Sequence, residues 1–192
     1  MAALTATQLK EQDKDEHELA RLTILDIDAF AELYRRHLTR VYRYHVAHVG
    51  NVRDAEDLTS QTFIAALEGI RSFRGSGSFA AWILGIASRK RLMFYRGNKP
   101  ELPLEAALTY PSPDLPTDQA AAQRLQLESV SRALRQISPE RAEALILTYF
   151  GGLSHAEAGR VLNKSEAAVK MLVSRGLQDL RERTSVTLEV EL

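Results

Sequence analysis

The chain of 192 residues contains no cysteine. That removes disulfide frameworks, thiolate metal sites and cysteine nucleophiles, and fits a reducing compartment. No apolar run approaches the roughly 20 residues that span a bilayer. The first residues, "MAALTATQLKEQDKDEHELARL", lack the basic start and apolar core of a secretory signal. A cytoplasmic protein without membrane insertion is therefore expected. Net charge is also absent, at +0, which argues against a uniformly basic nucleic-acid coat. Balance hides segregation, however. Residues 26–99 carry 12 basic against 7 acidic side chains, a net of +5, whereas residues 1–25 carry −2, residues 100–127 carry −3 and residues 128–192 are neutral.

Proline is scarce, with six in all, and five of them fall in "GNKPELPLEAALTYPSPDLPTDQ". A segment this rich in proline and without a helical period reads as a flexible linker over residues 97–119. On either side the period is helical. Phe30, Leu33, Tyr34, Leu38, Val41, Tyr42, His45, Val46 and Val49 form one stripe ending at Gly50, with Asp28 as a candidate cap. Leu58, Thr62, Ala65, Ala66 and Ile70 form a second, begun by acidic Asp54, Glu56 and Asp57. "SFRGSGSF" is a loop, and residues 80–96 make a third helix that is apolar first and basic later.

Helical character returns from Ala120. Ser138 and Pro139 read as a cap and first helical residue, and Gly151 with Gly152 stops the apolar run before them. Ser154 and Glu157 have capping-box spacing ahead of a short helix, Asn163 suits a left-handed turn, and Ser165 can cap the next helix. On that last helix Val169, Leu172, Val173, Leu177 and Leu180 face inward. Ala167, Lys170, Met171, Ser174 and Gln178 face out, with Arg175 at their edge. This is helix-turn-helix geometry, which places a second helix in the DNA major groove; a plain helical hairpin has the same signals. The tail alternates Val186, Leu188, Val190 and Leu192 in a strand-like period. The fold class expected is all-α: two small helical domains joined by a flexible proline-rich linker, the second containing the helix-turn-helix. The divisions are residues 1–25 as a polar extension, 26–96, 97–119, 120–183, and 184–192 as a tail.

The order of "AEDLTSQTF", "FRGSGSFAAW", a proline-rich linker and "LSHAEAGRVL" closely resembles the extracytoplasmic-function (ECF) sigma factors of bacterial RNA polymerase. The resemblance covers residues 26–96 and 127–183. It implies a sigma-2-like domain that binds core polymerase and recognises and melts the minus-ten element, and a sigma-4-like domain that docks on minus-thirty-five. The partners implied are the polymerase beta and beta-prime subunits, promoter DNA and an anti-sigma factor.

Carried over by position, Asp54, Asp57, Ser60 and Gln61 match the segment that grips the polymerase clamp, with Ser60 and Gln61 replacing the usual glutamine and glutamate. Arg74, Gly75, Ser76 and Ser78 match the loop that receives a flipped base, where glycines permit close approach and hydroxyls meet the base edge. Arg89, Lys90, Arg91 and Arg96 supply cations for the phosphate backbone. Ala167, Lys170, Met171, Ser174 and Arg175 match the minus-thirty-five face. Met93 stands where an acidic residue is common, Arg89 replaces a frequent asparagine, and Leu172 and Leu177 occupy positions often held by arginine. Trp82, beside Ile83 and Ile86, is expected in the core. No enzyme activity, cofactor or metal is expected; His37, His45, His48 and His155 read as packed or solvated. The competing class is a stand-alone helix-turn-helix regulator that binds its operator without polymerase.

Overall fold

The computed structural model describes residues 15–24, 26–75, 77–97 and 128–183. Among them every regular element is helical. A short helix, α1, covers 15–22. It is followed by α2 (Ile27–Val49), α3 (Val52–Glu68), a single 3-10 turn at Ile70–Ser72 and α4 (Phe79–Gly97). The second half has α5 over 128–134, α6 (Pro139–Leu145), α7 (His155–Leu162) and α8 (Glu166–Arg183). The residues before 15, those at 98–127 and the alternating tail lie outside the described residues.

Local chemistry explains most boundaries. Helix α2 is capped by Asp26, not Asp28: the Asp26 carboxylate accepts from the Asp28 amide at 2.9 Å, so Asp28 receives the cap as the second helical residue. Gly50 ends the helix at φ 75, a left-handed position, and its amide closes on the Val46 carbonyl. Asn51 then caps α3 through the Asp54 amide at 2.8 Å. Ser138 stands before Pro139 at the start of α6 as expected, but its side chain makes no capping bond. Proline lacks an amide hydrogen, so one orphan donor is already gone.

The end of α6 departs from a simple helix. From Ile146 to Phe150 the backbone widens to π geometry, with the Gly151 amide bonding the Ile146 carbonyl at 2.8 Å. The Thr148 hydroxyl bonds the carbonyls of Ala144 and Leu145, competing with the regular ladder.

The inward faces merge into one apolar cluster. Leu33, Val41 and Tyr44 of α2, Leu58 and Phe63 of α3 and Ile83 and Leu84 of α4 are buried in the first half. Leu145, Ile146, Leu147, Val169 and Leu180 are buried in the second. Helix α2 packs on α3 and α4, and the Ile146–Phe150 turn packs on α2, while α7 packs on α4 and α8. The two halves thus share a core. Tyr34, expected in the α2 stripe, is exposed at its edge and meets the Phe63 ring at a tilt of 60° instead.

Candidate nucleic-acid interface

The helix-turn-helix is assembled by four local devices. Ser154 accepts from the Glu157 amide at 3.2 Å while Glu157 accepts from the Ser154 amide at 2.8 Å, closing the capping box of α7. Asn163 sits at φ 53, ψ 47, the left-handed conformation its sequence position called for. The next amide, of Lys164, bonds the Gly159 carbonyl at 2.8 Å. Gly159 itself leaves no room for a side chain, since a Cβ there would lie 2.6 Å from the Lys164 carbonyl oxygen. Ser165 then accepts from the Ala168 amide at 3.2 Å and starts α8.

On α8, Val169, Val173, Gly176 and Leu180 are buried, and Leu172 and Leu177 are half-buried against the core. The leucines that stand at arginine positions of the resembled family are therefore packing residues. Ala167, Lys170, Met171, Ser174 and Arg175 are all exposed, on the opposite face. That face is poor in charge but continuous.

In the first half, Arg74, Arg89 and Arg96 are exposed and Lys90 is half-exposed. Arg89 and Lys90 flank an open groove with Trp82, Ile86 and Met93 on its walls. Trp82 packs on Phe73 and Phe79, with centroids 5.4 and 5.3 Å away, as a core residue would, and also contributes to this groove. Met93 is 66% exposed beside it.

The loop before α4 turns through Gly75 at φ 69. Ser76 lies outside the described residues. Ser78 is buried: its hydroxyl donates to the Glu157 carboxylate of α7 and accepts from the Ala81 amide. The Arg160 guanidinium lies over Gly77. Burial alone would raise the Glu157 pKa, but the Ser78 and Ser154 hydrogen bonds and the nearby Arg40 charge bring it below the usual carboxylate value. In this arrangement Ser78 of the loop is held against α7 of the helix-turn-helix.

Arg91 is separated from its basic neighbours. Its side chain is 17% exposed and its guanidinium lies 2.9 Å from Glu143 on α6. Glu143 also accepts from the Tyr44 hydroxyl at 2.6 Å and from Ser88 at 3.3 Å, and His48 Nε2 lies 3.2 Å away. Burial on its own would raise the Glu143 pKa; His48, Arg91 and Tyr44 outweigh it and lower the carboxyl to about 2. Burial lowers the His48 pKa despite that carboxylate. This cross-half network had no signal in the sequence, because a lone glutamate in an amphipathic helix reads as solvated.

The clamp-type residues lie together on α3. Asp57, Ser60 and Gln61 are exposed, and Asp54 is half-buried through its contact with Asn51. Ile64, one further turn along, is 58% exposed and extends the same strip. The inward period of α3 carries no signal for Ile64, which faces out. Among the described residues no group of three or more His, Asp or Glu side chains could hold a metal ion, and no helix is long and apolar enough to cross a membrane.

Comparison with known proteins identifies both halves. The sigma-70 region 2 model matches residues 33–101, and the sigma-70 region 4 model matches residues 127–180. The chain is 35% identical over 166 residues to the ECF RNA polymerase sigma factor BldN of Streptomyces coelicolor, covering 81% of this chain and 60% of BldN. It is 27% identical to the sigma factor YlaC of Bacillus subtilis over 85% of this chain and 96% of that protein. It is 30% identical to CarQ of Myxococcus xanthus over 81% and 88%. Its fold resembles that of CnrH, solved with the cytosolic domain of CnrY, at a TM-score of 0.66 and 24% identity, covering 88% of this chain and 96% of CnrH. RpoE of Bartonella quintana, solved with the anti-sigma factor NepR, gives a TM-score of 0.57 at 22% identity, covering 80% and 94%. With both regions present in order and such relatives across most of its length, the chain belongs to the sigma-70 family of RNA polymerase sigma factors, in its extracytoplasmic-function group.

Proposed function

We propose that this chain is a promoter-specificity subunit that works in the cytoplasm with core RNA polymerase and performs no chemistry of its own. The observation that carries the reading is the pairing of two unlike surfaces in one chain. One is the capped helix-turn-helix with Ala167, Lys170, Met171, Ser174 and Arg175 exposed. The other is the groove with Arg89 and Lys90 beside a glycine-bearing loop. In this reading the first docks on minus-thirty-five DNA, and the second receives and opens minus-ten. The strip Asp54, Asp57, Ser60 and Gln61 contacts the polymerase clamp.

Each DNA surface is weak alone. Few cations mean few phosphate contacts, and tethering on polymerase raises the effective concentration of the second half near its site. The two halves also engage each other here, through Ser78 with Glu157 and Arg91 with Glu143. Promoter engagement then requires their separation on polymerase. An anti-sigma factor that holds them together would oppose it; RpoE, solved in complex with the anti-sigma factor NepR, supports a partner of the anti-sigma class.

The test is direct binding of the labelled full chain to sigma-free core polymerase. Saturable binding that another sigma factor displaces, and that Asp57→Arg weakens at least ten-fold, is the result expected. Absence of polymerase binding, with retained dimeric binding of the chain to DNA, supports a stand-alone regulator instead.

A further inference from the structure

Helix α1 lies outside the family-model match yet touches the loop that the proposed function assigns to the minus-ten base. It is fixed to α2 at two points. Asp15 pairs with Arg36, and the buried Glu16 carboxylate lies 3.1 Å from His37 Nε2. Ala20 enters the core one turn later. The residue between, His17, is thereby aimed at the loop.

There His17 Nε2 lies 2.9 Å from the Gly77 carbonyl oxygen. A carbonyl only accepts, so the ring donates through Nε2–H. The same ring meets Phe73 edge-on at 5.2 Å, and Phe73 packs on Phe79 and Trp82. Gly75, at φ 69, passes so close that a Cβ would lie 3.1 Å from His17 Nδ1. The imidazole therefore approaches the loop backbone at both Gly75 and Gly77, hydrogen-bonded on one side and covered by Phe73 on the other. Glycines lose the most conformational freedom when ordered, so a turn built on Gly75 and Gly77 is costly to hold in one shape. A side chain that bonds its carbonyl reduces that cost before a base arrives.

We propose that His17 is a positioning residue for minus-ten recognition: it holds the loop backbone at Gly75 and Gly77 in the shape that accepts the unstacked base. The inference rests on the assignment of this loop to DNA. Its consequence is that helix α1 takes part in promoter opening without touching DNA.

The experiment uses holoenzyme reconstituted from core polymerase and the full chain, on a promoter library randomised across minus-ten. Three His17 variants are compared: His17→Phe, which keeps the ring contact with Phe73 but has no donor, His17→Gln, which restores an N–H, and His17→Ala. Arg74→Ala and Ser78→Ala probe the loop itself. Readouts are core-polymerase affinity, thermal midpoint, open-complex formation by permanganate footprinting, and base preference. His17→Phe is expected to bind polymerase within two-fold of the parent and to unfold at a similar temperature. It should form open complex about five-fold less well, the scale of one lost hydrogen bond, with a flattened base preference that His17→Gln partly restores. If the loop variants shift base preference while His17→Phe leaves it and open-complex formation unchanged, His17 is packing only and the proposal is overturned. If neither set alters base preference, the assignment of the loop to DNA is itself overturned.

Discussion

The Tyr44 hydroxyl donates to the Glu143 carboxylate at 2.6 Å across 99 residues of sequence, joining α2 of the region 2 half to α6 of the helix-turn-helix half. Both groups are buried, and Arg91, Ser88 and His48 complete the site. Tyr44→Phe leaves the carboxylate short of a donor and should cost about 1.5–3 kcal/mol, the range for a hydrogen bond to a charged group. Glu143→Ala leaves the half-buried Arg91 without a counter-charge and should cost more, about 3–5 kcal/mol. Urea unfolding of the full chain measures both. Fluorescence energy transfer between labels at Gln61 and Gln178 should also fall in Glu143→Ala, as the two halves separate.

Acid should weaken the fold through His45. Its Nε2 lies 2.9 Å from Thr62 Oγ1, whose own proton goes to the Leu58 carbonyl, so His45 donates as a neutral ring. Burial, with help from His48 and Arg91, lowers its pKa from 6.5 to about 3. The unfolded chain therefore binds a proton between those values that the folded chain does not. Stability from this group is complete above pH 6.5 and falls by on the order of 1 kcal/mol per unit as pH drops toward 3. Urea titrations from pH 7 to 4 should show a shallower fall for His45→Gln than for the parent.

The turn of the helix-turn-helix has two positions with opposite tolerances. Asn163→Gly should be within a few tenths of a kcal/mol of the parent, whereas Asn163→Ala should lose about 1 kcal/mol at φ 53. Gly159→Ala should be the more damaging change, because its Cβ would meet backbone at 2.6 Å. Thermal unfolding ranks the three, and binding of holoenzyme to a promoter with an intact minus-thirty-five element should fall most for Gly159→Ala.

Lys170 and Arg175 are cations of the exposed α8 face, which Arg181 extends one turn further on. Replacing either by alanine should reduce the slope of log K against log salt, for holoenzyme on promoter DNA, by roughly one unit. Met171→Ala on the same face should change affinity for particular bases while leaving the slope as it was.

Sequence reading reached the elements whose signals are local. The capping box at Ser154 and Glu157, the left-handed Asn163 and the outward set on α8 each depend on neighbours within a few residues, and the structure has them as expected. Small errors arose where two local solutions compete, as at Asp26 and Asp28, where both residues have the right chemistry and only geometry chooses. Larger ones concern contacts between distant elements. Helical periodicity marks the face a helix buries but not its partner, so Glu143, Tyr44 and the inward turn of Arg91 were illegible. The π turn at Ile146–Phe150 was hidden for a related reason, since it depends on the Thr148 hydroxyl and the close approach of Gly151 to Leu84.

Transcription itself is the most direct measurement of the account. The purified chain is added to sigma-free core polymerase on fragments of the genome that encodes it, and initiation sites are mapped. Promoter-dependent initiation, with permanganate-reactive thymines at minus-ten and loss of activity when minus-thirty-five is shifted by half a helical turn, is the outcome predicted. No gain in initiation over core polymerase alone, with sequence-specific DNA binding by the isolated chain, would contradict it.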